Sequence, residues 1–226
     1  MNNQITYTNL RPEHAAQLRQ LQLTCFPNVP PENLFSENDF LHMSTYLADL
    51  VFVALADGIA VGMGSGIYCN FNFDNPIHTL DEIVGGGNCR NHNPNGSYYY
   101  GTDISVHPNY RRRGIGGALY ALRKDLVRRA NKRGIVAGGE IPGYAKYRSN
   151  LSANAYVKKV AAGELYDATL TFQLSHGFQV HGVLPNYFYD KTTDGWASFI
   201  VWENPDYREE RDEQQVGQHS DRQHSA

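Results

Sequence analysis

The chain has 226 residues, 41% of them hydrophobic and 12% aromatic, with a formal net charge of −3 at pH 7. That length suffices for one domain with its own core, and the composition excludes a disordered or low-complexity chain. A near-neutral total also argues against a generally basic nucleic-acid binder. Nine of the twenty Lys and Arg nevertheless fall between Arg111 and Arg133, opposed only by Asp125, so the basicity is local, as an anionic ligand would need.

The first residues lack the apolar core of a signal peptide, and no run reaches the ~20 apolar residues of a membrane span, so a soluble, cytoplasmic protein is expected. Cys25, Cys69 and Cys89 are read as free thiols. Cys69, Cys89 and His92 lack a second close pair to complete a zinc site, and no metal is expected.

In chain order, Ile5 to Tyr7 alternates as a short strand, and Pro12 and Glu13 open a helix whose apolar face, Ala15, Leu18 and Leu21, runs toward Pro27. Ser36-Glu37-Asn38-Asp39 resembles a capping box ahead of a second helix bearing Phe40, Met43 and Leu47. Val51 to Ala56 and Ile59 to Tyr68 form a hairpin about Asp57-Gly58. From Asn70 to Ser97 runs a long Asn-, Gly-, His- and Pro-rich connection, either a lid or a surface insertion. Tyr98 to Val106 is the next strand. The helix that follows carries Leu119, Leu122, Leu126 and Ala130 on its apolar stripe, with Arg123, Lys124, Arg128 and Arg129 expected mostly to face away.

Gly134 stops that helix, and Ile135 to Ala137 returns as a strand parallel to Tyr98 to Val106. Gly138, Gly139 and Pro142 are expected to end its neat pairing and open the sheet. Two short helices (152–162 and 167–177) and two last strands (178–184 and 196–202) follow. Residues 1–207 read as one domain and 208–226 as a disordered tail.

The chemistry-bearing stretch is Arg111-Arg112-Arg113-Gly114-Ile115-Gly116-Gly117-Ala118, at the junction of strand and helix. Small residues let backbone approach a ligand, and a helix start there aims unpaired N–H groups and a positive dipole end at an anion. An ordinary Gly-rich turn is the plainer reading. No P-loop string occurs, and a dinucleotide fingerprint fails because Leu119 stands where its third small residue should be.

The run from Ile104 to Leu119 resembles the acetyl-coenzyme A motif of the GCN5-related N-acetyltransferase (GNAT) superfamily: a strand, then Arg or Gln, two residues, Gly, one residue, and Gly or Ala. Gly177-Phe178 resembles the ending of that superfamily's last helix, and the element order agrees over about residues 4 to 203. Gly101 to Pro108 and Gly182 to Tyr187 resemble a subgroup sometimes joined to a carbon–nitrogen hydrolase domain, which does not follow in this sequence. The resemblance implies an α/β (α+β) fold with a mixed, partly splayed central sheet flanked by helices, and acetyl-CoA as acyl donor.

Carried onto this chain, the resemblance implies that backbone N–H groups from Arg112 through Gly117, including Gly114, Ile115 and Gly116, bind the pyrophosphate. Arg111, Arg112 and Arg113 add charge, and Ala118 completes the motif. Backbone at Ile104, Ser105 and Val106 pairs with the pantetheine arm, Val106 N–H facing the thioester carbonyl. The acceptor is an amine of a small molecule or peptide, with no nucleic acid and no membrane, and homodimerisation is left open. Glu140 is the first candidate base, followed by Asp103 and His107. Gln173 stands where many members carry a Tyr that protonates the departing thiolate, leaving Tyr144, Tyr166 or Tyr187 to do so, or the thiolate to leave unaided. With no activated cysteine, direct transfer is expected. The rivals are a non-catalytic acyl-CoA sensor and a nucleic-acid module built on the basic helix.

Overall fold

A computed structural model describes residues 4–209. Its elements in order are β1 (Ile5–Asn9), α1 (Ala15–Cys25), α2 (Glu37–Tyr46), β2 (Phe52–Ala56), β3 (Ile59–Cys69), α3 (Leu80–Val84), β4 (Tyr98–Val106) and α4 (Ile115–Arg129). There follow β5 (Gly134–Glu140), α5 (Ala153–Ala161), α6 (Leu170–Ser175), β6 (Gln179–Leu184) and β7 (Ala197–Glu203). The strands make one seven-stranded sheet in the order β1-β2-β3-β4-β5-β7-β6. Every pairing is antiparallel except β4 with β5, which α4 connects.

Local chemistry accounts for most boundaries. Asp57 and Gly58 both take positive φ, 49° and 81°, as a tight hairpin turn matching strand twist requires. Ser36 Oγ accepts from Asp39 N–H while Asp39 Oδ2 accepts from Ser36 N–H, closing the box that starts α2. The connection over residues 70–97 is not wholly irregular. It holds α3, opened by a second reciprocal box between Thr79 and Glu82 and closed by Gly85 at φ 75°.

The sheet is packed on both faces. Along β3, Gly62 and Gly64 face Ile115 and Arg123 of α4, while the intervening Met63 belongs to the large core that also holds Leu18, Phe40 and Tyr99. The stripe of α4 differs from expectation. Its buried residues are Ile115, Leu119, Tyr120, Arg123 and Val127, so one arginine lies inside the molecule, with only 2% of its surface exposed. Other charges of the basic helix meet neighbours: Arg129 pairs with Asp125 at 2.8 Å, Arg128 with Asp206 at 3.0 Å, and Lys124 lies 4.9 Å over Trp202.

Glycines do not end β5 at Ala137 as the sequence suggests. Gly138, Gly139 and Glu140 continue the ladder against Phe199, Ser198 and Ala197 of β7. The opening lies instead on the β4 side, where pairing stops at Gly101 with Ala137. Of the tail expected from 208 onward, Arg208 exchanges hydrogen bonds with Asn131 at 2.8 and 3.0 Å. Residues 210–226 lie outside the described residues. Among the described residues no helix is long and apolar enough to cross a membrane.

A Cβ at Gly66 would collide with the ring of fully buried Tyr99, whose hydroxyl donates to Leu50 O at 2.8 Å. Gly66→Ala should therefore destabilise the fold by about 1–3 kcal/mol through overpacking, measured by urea unfolding. A change near zero would show that Tyr99 can shift freely.

Candidate active site

Two irregularities in β4 create the cleft. The register against β3 slips between Ser65 and Gly66, so Thr102 is an extra residue, and a bulge of this kind bends and over-twists its strand. Beyond it β4 runs on to Val106 along β3, while β5 runs on to Glu140 along β7, and the two part company. His107 N–H donates to Val61 O at 2.8 Å, so alternation along the antiparallel pair turns the N–H groups of Ile104 and Val106 away from β3, toward the gap. Ser105, by the same alternation, turns its N–H toward β3.

The buried guanidinium of Arg123 sits beside the bulge. One of its Nη atoms donates to Ser65 O at 2.7 Å and to Asp103 O, and the group lies 5.7 and 5.9 Å from the rings of Tyr99 and Tyr120. Gly64 and Gly101 leave it room, since a Cβ at either would meet it at 3.1 or 3.4 Å.

A cleft of about 1120 Å³ runs through the gap. At one end lies the Gly-rich stretch. Arg112 and Gly114 both have positive φ, 60° and 80°, around Arg113, an alternation that turns successive N–H groups to one side as an anion nest. The first backbone bond of α4 runs from Ala118 N–H to Gly114 O at 3.0 Å, and among the described residues the N–H groups from 112 through 117 have no hydrogen-bond partner. Ala118 thus lies inside the helix ladder rather than in the cradle. Gly116 and Gly117 are small for a reason the sequence did not show: a Cβ there would meet Phe172 of α6 at 2.8 Å and His176, just past its end, at 2.9 Å. Arg111 donates through Nε to Val106 O at 3.0 Å, and Arg113 lies 4.8 Å over Tyr110.

The other end is lined by acidic and amide groups. Asp103 is 9% exposed, with Oδ2 accepting from Gln22 Nε2 at 2.6 Å. Burial pushes its pKa up to about 6 against the opposing pull of Gln22 and Arg123. Glu140, part-buried, is pushed up to about 8 by burial and by the charges of Asp190, Asp103 and Asp167. The buried side-chain atoms without a hydrogen-bond partner, among the described residues, are on Gln22, Asp103, Ser105, Arg123, Glu140 and Gln173. All six residues line this cleft. Native proteins leave few such atoms, and their collection in one place marks a polar binding site.

The other expected residues divide. Gln173 is buried beside Gly139, where a Cβ would come within 2.5 Å of its Oε1. Tyr120 lies next to it, its hydroxyl raised by burial and drawn back by Arg123 and the Gln173 amide. Tyr144 is not brought to the cleft: its hydroxyl donates to Leu151 O at 3.1 Å and its ring packs 5.5 Å from Tyr156. His107 is also elsewhere, its Nδ1 accepting from Asn109 N–H at 3.2 Å. Tyr166 lies at the rim, 73% exposed, and Tyr187 is buried in the wall. Gln22, Tyr120 and Arg123 were missed by the sequence reading, although Arg123, four residues after Leu119, sits in register with the apolar stripe. Burial pushes Cys25 up to about 11 and Cys69 and Cys89 to about 12, which leaves none ionised as a nucleophile at neutral pH.

A mixed sheet that parts beside a Gly-rich helix start, with backbone N–H groups at one end and buried carboxyls at the other, defines an acyltransferase-type site. Comparison with known proteins agrees. A model of the acetyltransferase (GNAT) family matches residues 76–148. The uncharacterized N-acetyltransferase YkwB of Bacillus subtilis (strain 168) is 32% identical over 206 residues, covering 90% of this chain and 91% of that protein. The probable hydrolase YhcX of the same organism is 36% identical over 203 residues, 88% of this chain but only 38% of that protein, in keeping with a hydrolase-linked subgroup. Among solved structures, the loading GNATL domain of CurA from Lyngbya majuscula superposes with a TM-score of 0.76 at 16% identity, covering 89% of this chain and 98% of that one. The chain belongs to the GNAT family of acetyltransferases.

Gly114→Asp retains a residue type that tolerates positive φ but places a carboxylate in the nest. It should melt close to the parent, while calorimetric affinity for coenzyme A falls ~10-fold or more and Gly114→Asn keeps most of it. Equal binding by the Asp variant would move the cradle elsewhere.

For the carboxyls, upward shifts mean that the folded chain holds protons the unfolded chain has released, so stability declines as pH climbs through about 6 for Asp103 and about 8 for Glu140. Glu140→Gln cannot ionise. Relative to the parent it should gain stability at pH 9 that is absent at pH 5, by urea unfolding. An identical difference at both values would show the carboxyl is unshifted.

Proposed function

We propose that this protein transfers the acetyl group of acetyl-CoA directly to an amine of a small molecule or peptide. The observation that carries the reading is the continuity of the cleft from the anion nest at Arg112–Gly117, through the gap between β4 and β5, to the buried carboxyls of Asp103 and Glu140.

The donor's pyrophosphate suits the unpartnered N–H groups of residues 112–117 and the charge of Arg111 to Arg113. Its pantetheine arm can pair with the freed edge of β4, and Val106 N–H is placed to stabilise the oxyanion that forms when the thioester carbonyl is attacked. At the far end, Gln22 Oε1, Asp103 Oδ1 and Glu140 Oε1 are hydrogen-bond acceptors without donors, which suits an N–H-rich acceptor.

An ammonium near pKa ~10 must lose a proton before it attacks. Glu140, with its pKa near 8, is suited to take that proton near neutral pH. Tyr120 replaces the proton donor that Gln173 cannot be: its hydroxyl adjoins the Gln173 amide, and it protonates the thiolate as the C–S bond breaks. A second reading, an acyl-CoA sensor, is favoured by Gln173 alone.

The test is release of free thiol from acetyl-CoA across a panel of amines, amino acids and peptides, with thermal shift by the donor. Turnover is expected with at least one amine, with kcat/KM rising as pH climbs through about 8. Glu140→Gln should lower kcat ~10²–10³-fold, and Tyr120→Phe ~10-fold or more. A thermal shift without turnover on any amine would establish the sensor instead, and no shift would exclude both.

A further inference from the structure

The long connection between β3 and β4 delivers a histidine to the back of the cleft wall, where it ends a line of hydroxyls. His78 Nε2 lies 2.6 Å from the hydroxyl of Tyr100, which is 3.0 Å from the hydroxyl of Tyr187. Tyr100 is fully buried and Tyr187 is 6% exposed. Tyr187 lines the cleft, its ring over Gly138, and Glu140 lies two residues further along β5 on the same face of the strand. The connection is anchored on this line as well, since Leu80 N–H at the start of α3 donates to Tyr187 O at 2.9 Å.

We propose that Tyr187, Tyr100 and His78 form a proton relay joining Glu140 in the cleft to the protein surface. The proposal rests on the reading of Glu140 as the base. It assigns a task to the 70–97 connection that the acetyl-transfer reading alone does not use.

Ring chemistry sets the direction of the line. His78 Nδ1 lies 2.6 Å from Pro76 O, and a carbonyl oxygen only accepts, so Nδ1 carries a hydrogen. In the neutral ring Nε2 is then an acceptor, so the Tyr100 hydrogen, which is directed at Tyr187 in the structure, turns to Nε2, and Tyr187 in turn donates to Tyr100. In the imidazolium Nε2 donates as well, and the line reverses, Tyr100 donating to Tyr187. Moving one proton along the line converts the first arrangement into the second.

The acceptor's ammonium gives one proton to Glu140, the freed amine bonds to the acetyl carbon as the C–S bond breaks, and the thiolate takes the proton of Tyr120, which the nitrogen's second proton replaces. Glu140 passes a proton through a water in the cleft to Tyr187 oxygen as Tyr187's own hydrogen moves to Tyr100 and that of Tyr100 moves to Nε2. Glu140 is left as a carboxylate, both tyrosines neutral and His78 an imidazolium. His78, part-exposed, returns the Nδ1 proton to water, and the line resets when exchange of the ring with water restores the Nδ1–H tautomer and the two hydroxyls rotate back. The charged group facing His78 is Glu82 of α3, which favours the imidazolium, against burial among Phe71, Tyr100 and Tyr187, which favours the neutral ring.

The first experiment needs no acceptor. Nitrogen-15 NMR of histidine-labelled free protein should show His78 as the Nδ1–H tautomer with Nε2 accepting, and Tyr100→Phe should relax that preference. The Nε2–H tautomer in the parent would overturn the relay.

The second measures thiol release from acetyl-CoA with the most active amine of the panel. Tyr100→Phe and His78→Ala should each lower kcat about tenfold with both KM values nearly unchanged, and added imidazole should restore His78→Ala. Full activity in Tyr100→Phe, or loss without rescue accompanied by a lower Tm, would overturn the relay. Glu140→Gln separates the two ideas. If it is impaired while Tyr100→Phe is not, the base stands and the relay falls; if it is fully active, the base falls and takes the relay with it.

Discussion

The buried guanidinium of Arg123 is the interaction on which the site depends. A cation taken out of water costs several kcal/mol unless neighbours replace the lost hydration. Here those neighbours are Ser65 O and Asp103 O, on the two strands flanking the bulge, together with the faces of Tyr99 and Tyr120. Meeting the guanidinium's needs therefore holds β3 and β4 in their slipped register. That register sends β4 away from β5 and leaves the N–H groups of Ile104 and Val106 facing open space. A Leu at 123 would satisfy the helix stripe yet remove the side-chain donor that the two carbonyls share beside the bulge.

The same charge divides the cleft. On the donor side, Arg111 to Arg113 and the start of α4 make a positive field for phosphate. On the acceptor side, burial raises both Asp103 and Glu140, and the charges of Asp190, Asp103 and Asp167 raise Glu140 further. By linkage, whatever binds there and favours the carboxylate forms gains affinity by relieving that strain, which a cation does and an anion does not. The polarity of the cleft thus orients the two substrates before any shape complementarity is considered.

Much of this was legible in the sequence because it is local. The Asp57-Gly58 turn, the Ser36 box and the strand-to-helix junction at residues 104–119 are each decided by residues within a few positions. Arg123 was misplaced because charge was equated with exposure, although its spacing from Leu119 put it on the apolar stripe. α3 was passed over although Thr79-Leu80-Asp81-Glu82 carries the box signature, because the Gly- and Asn-rich flanks read as loop. Tyr144 was offered with Tyr166 and Tyr187 as the acid in place of the Tyr absent at 173, but its hydroxyl turns back to Leu151 O. Pairings such as Gln22 with Asp103, 81 residues apart, are set by tertiary packing and leave no local trace.

Gly138 and Gly139 show how one sequence signal can carry the right position with the wrong cause. They were read as strand breakers, yet the backbone there pairs with β7 without interruption. What the missing side chains provide is room on the two faces of β5: the Tyr187 ring lies over Gly138, and the Gln173 amide over Gly139. Strand alternation then puts Tyr187 on the face of Glu140 and Gln173 on the opposite one, with Tyr120 and Arg123. A strand thinned in this way lets both walls reach the gap where β4 has left, so groups handling the acceptor's proton and groups handling the departing thiol can act from opposite sides of one backbone. A larger residue at 138 or 139 would push one wall away while leaving the ladder intact, separating the two halves of the chemistry without unfolding the sheet.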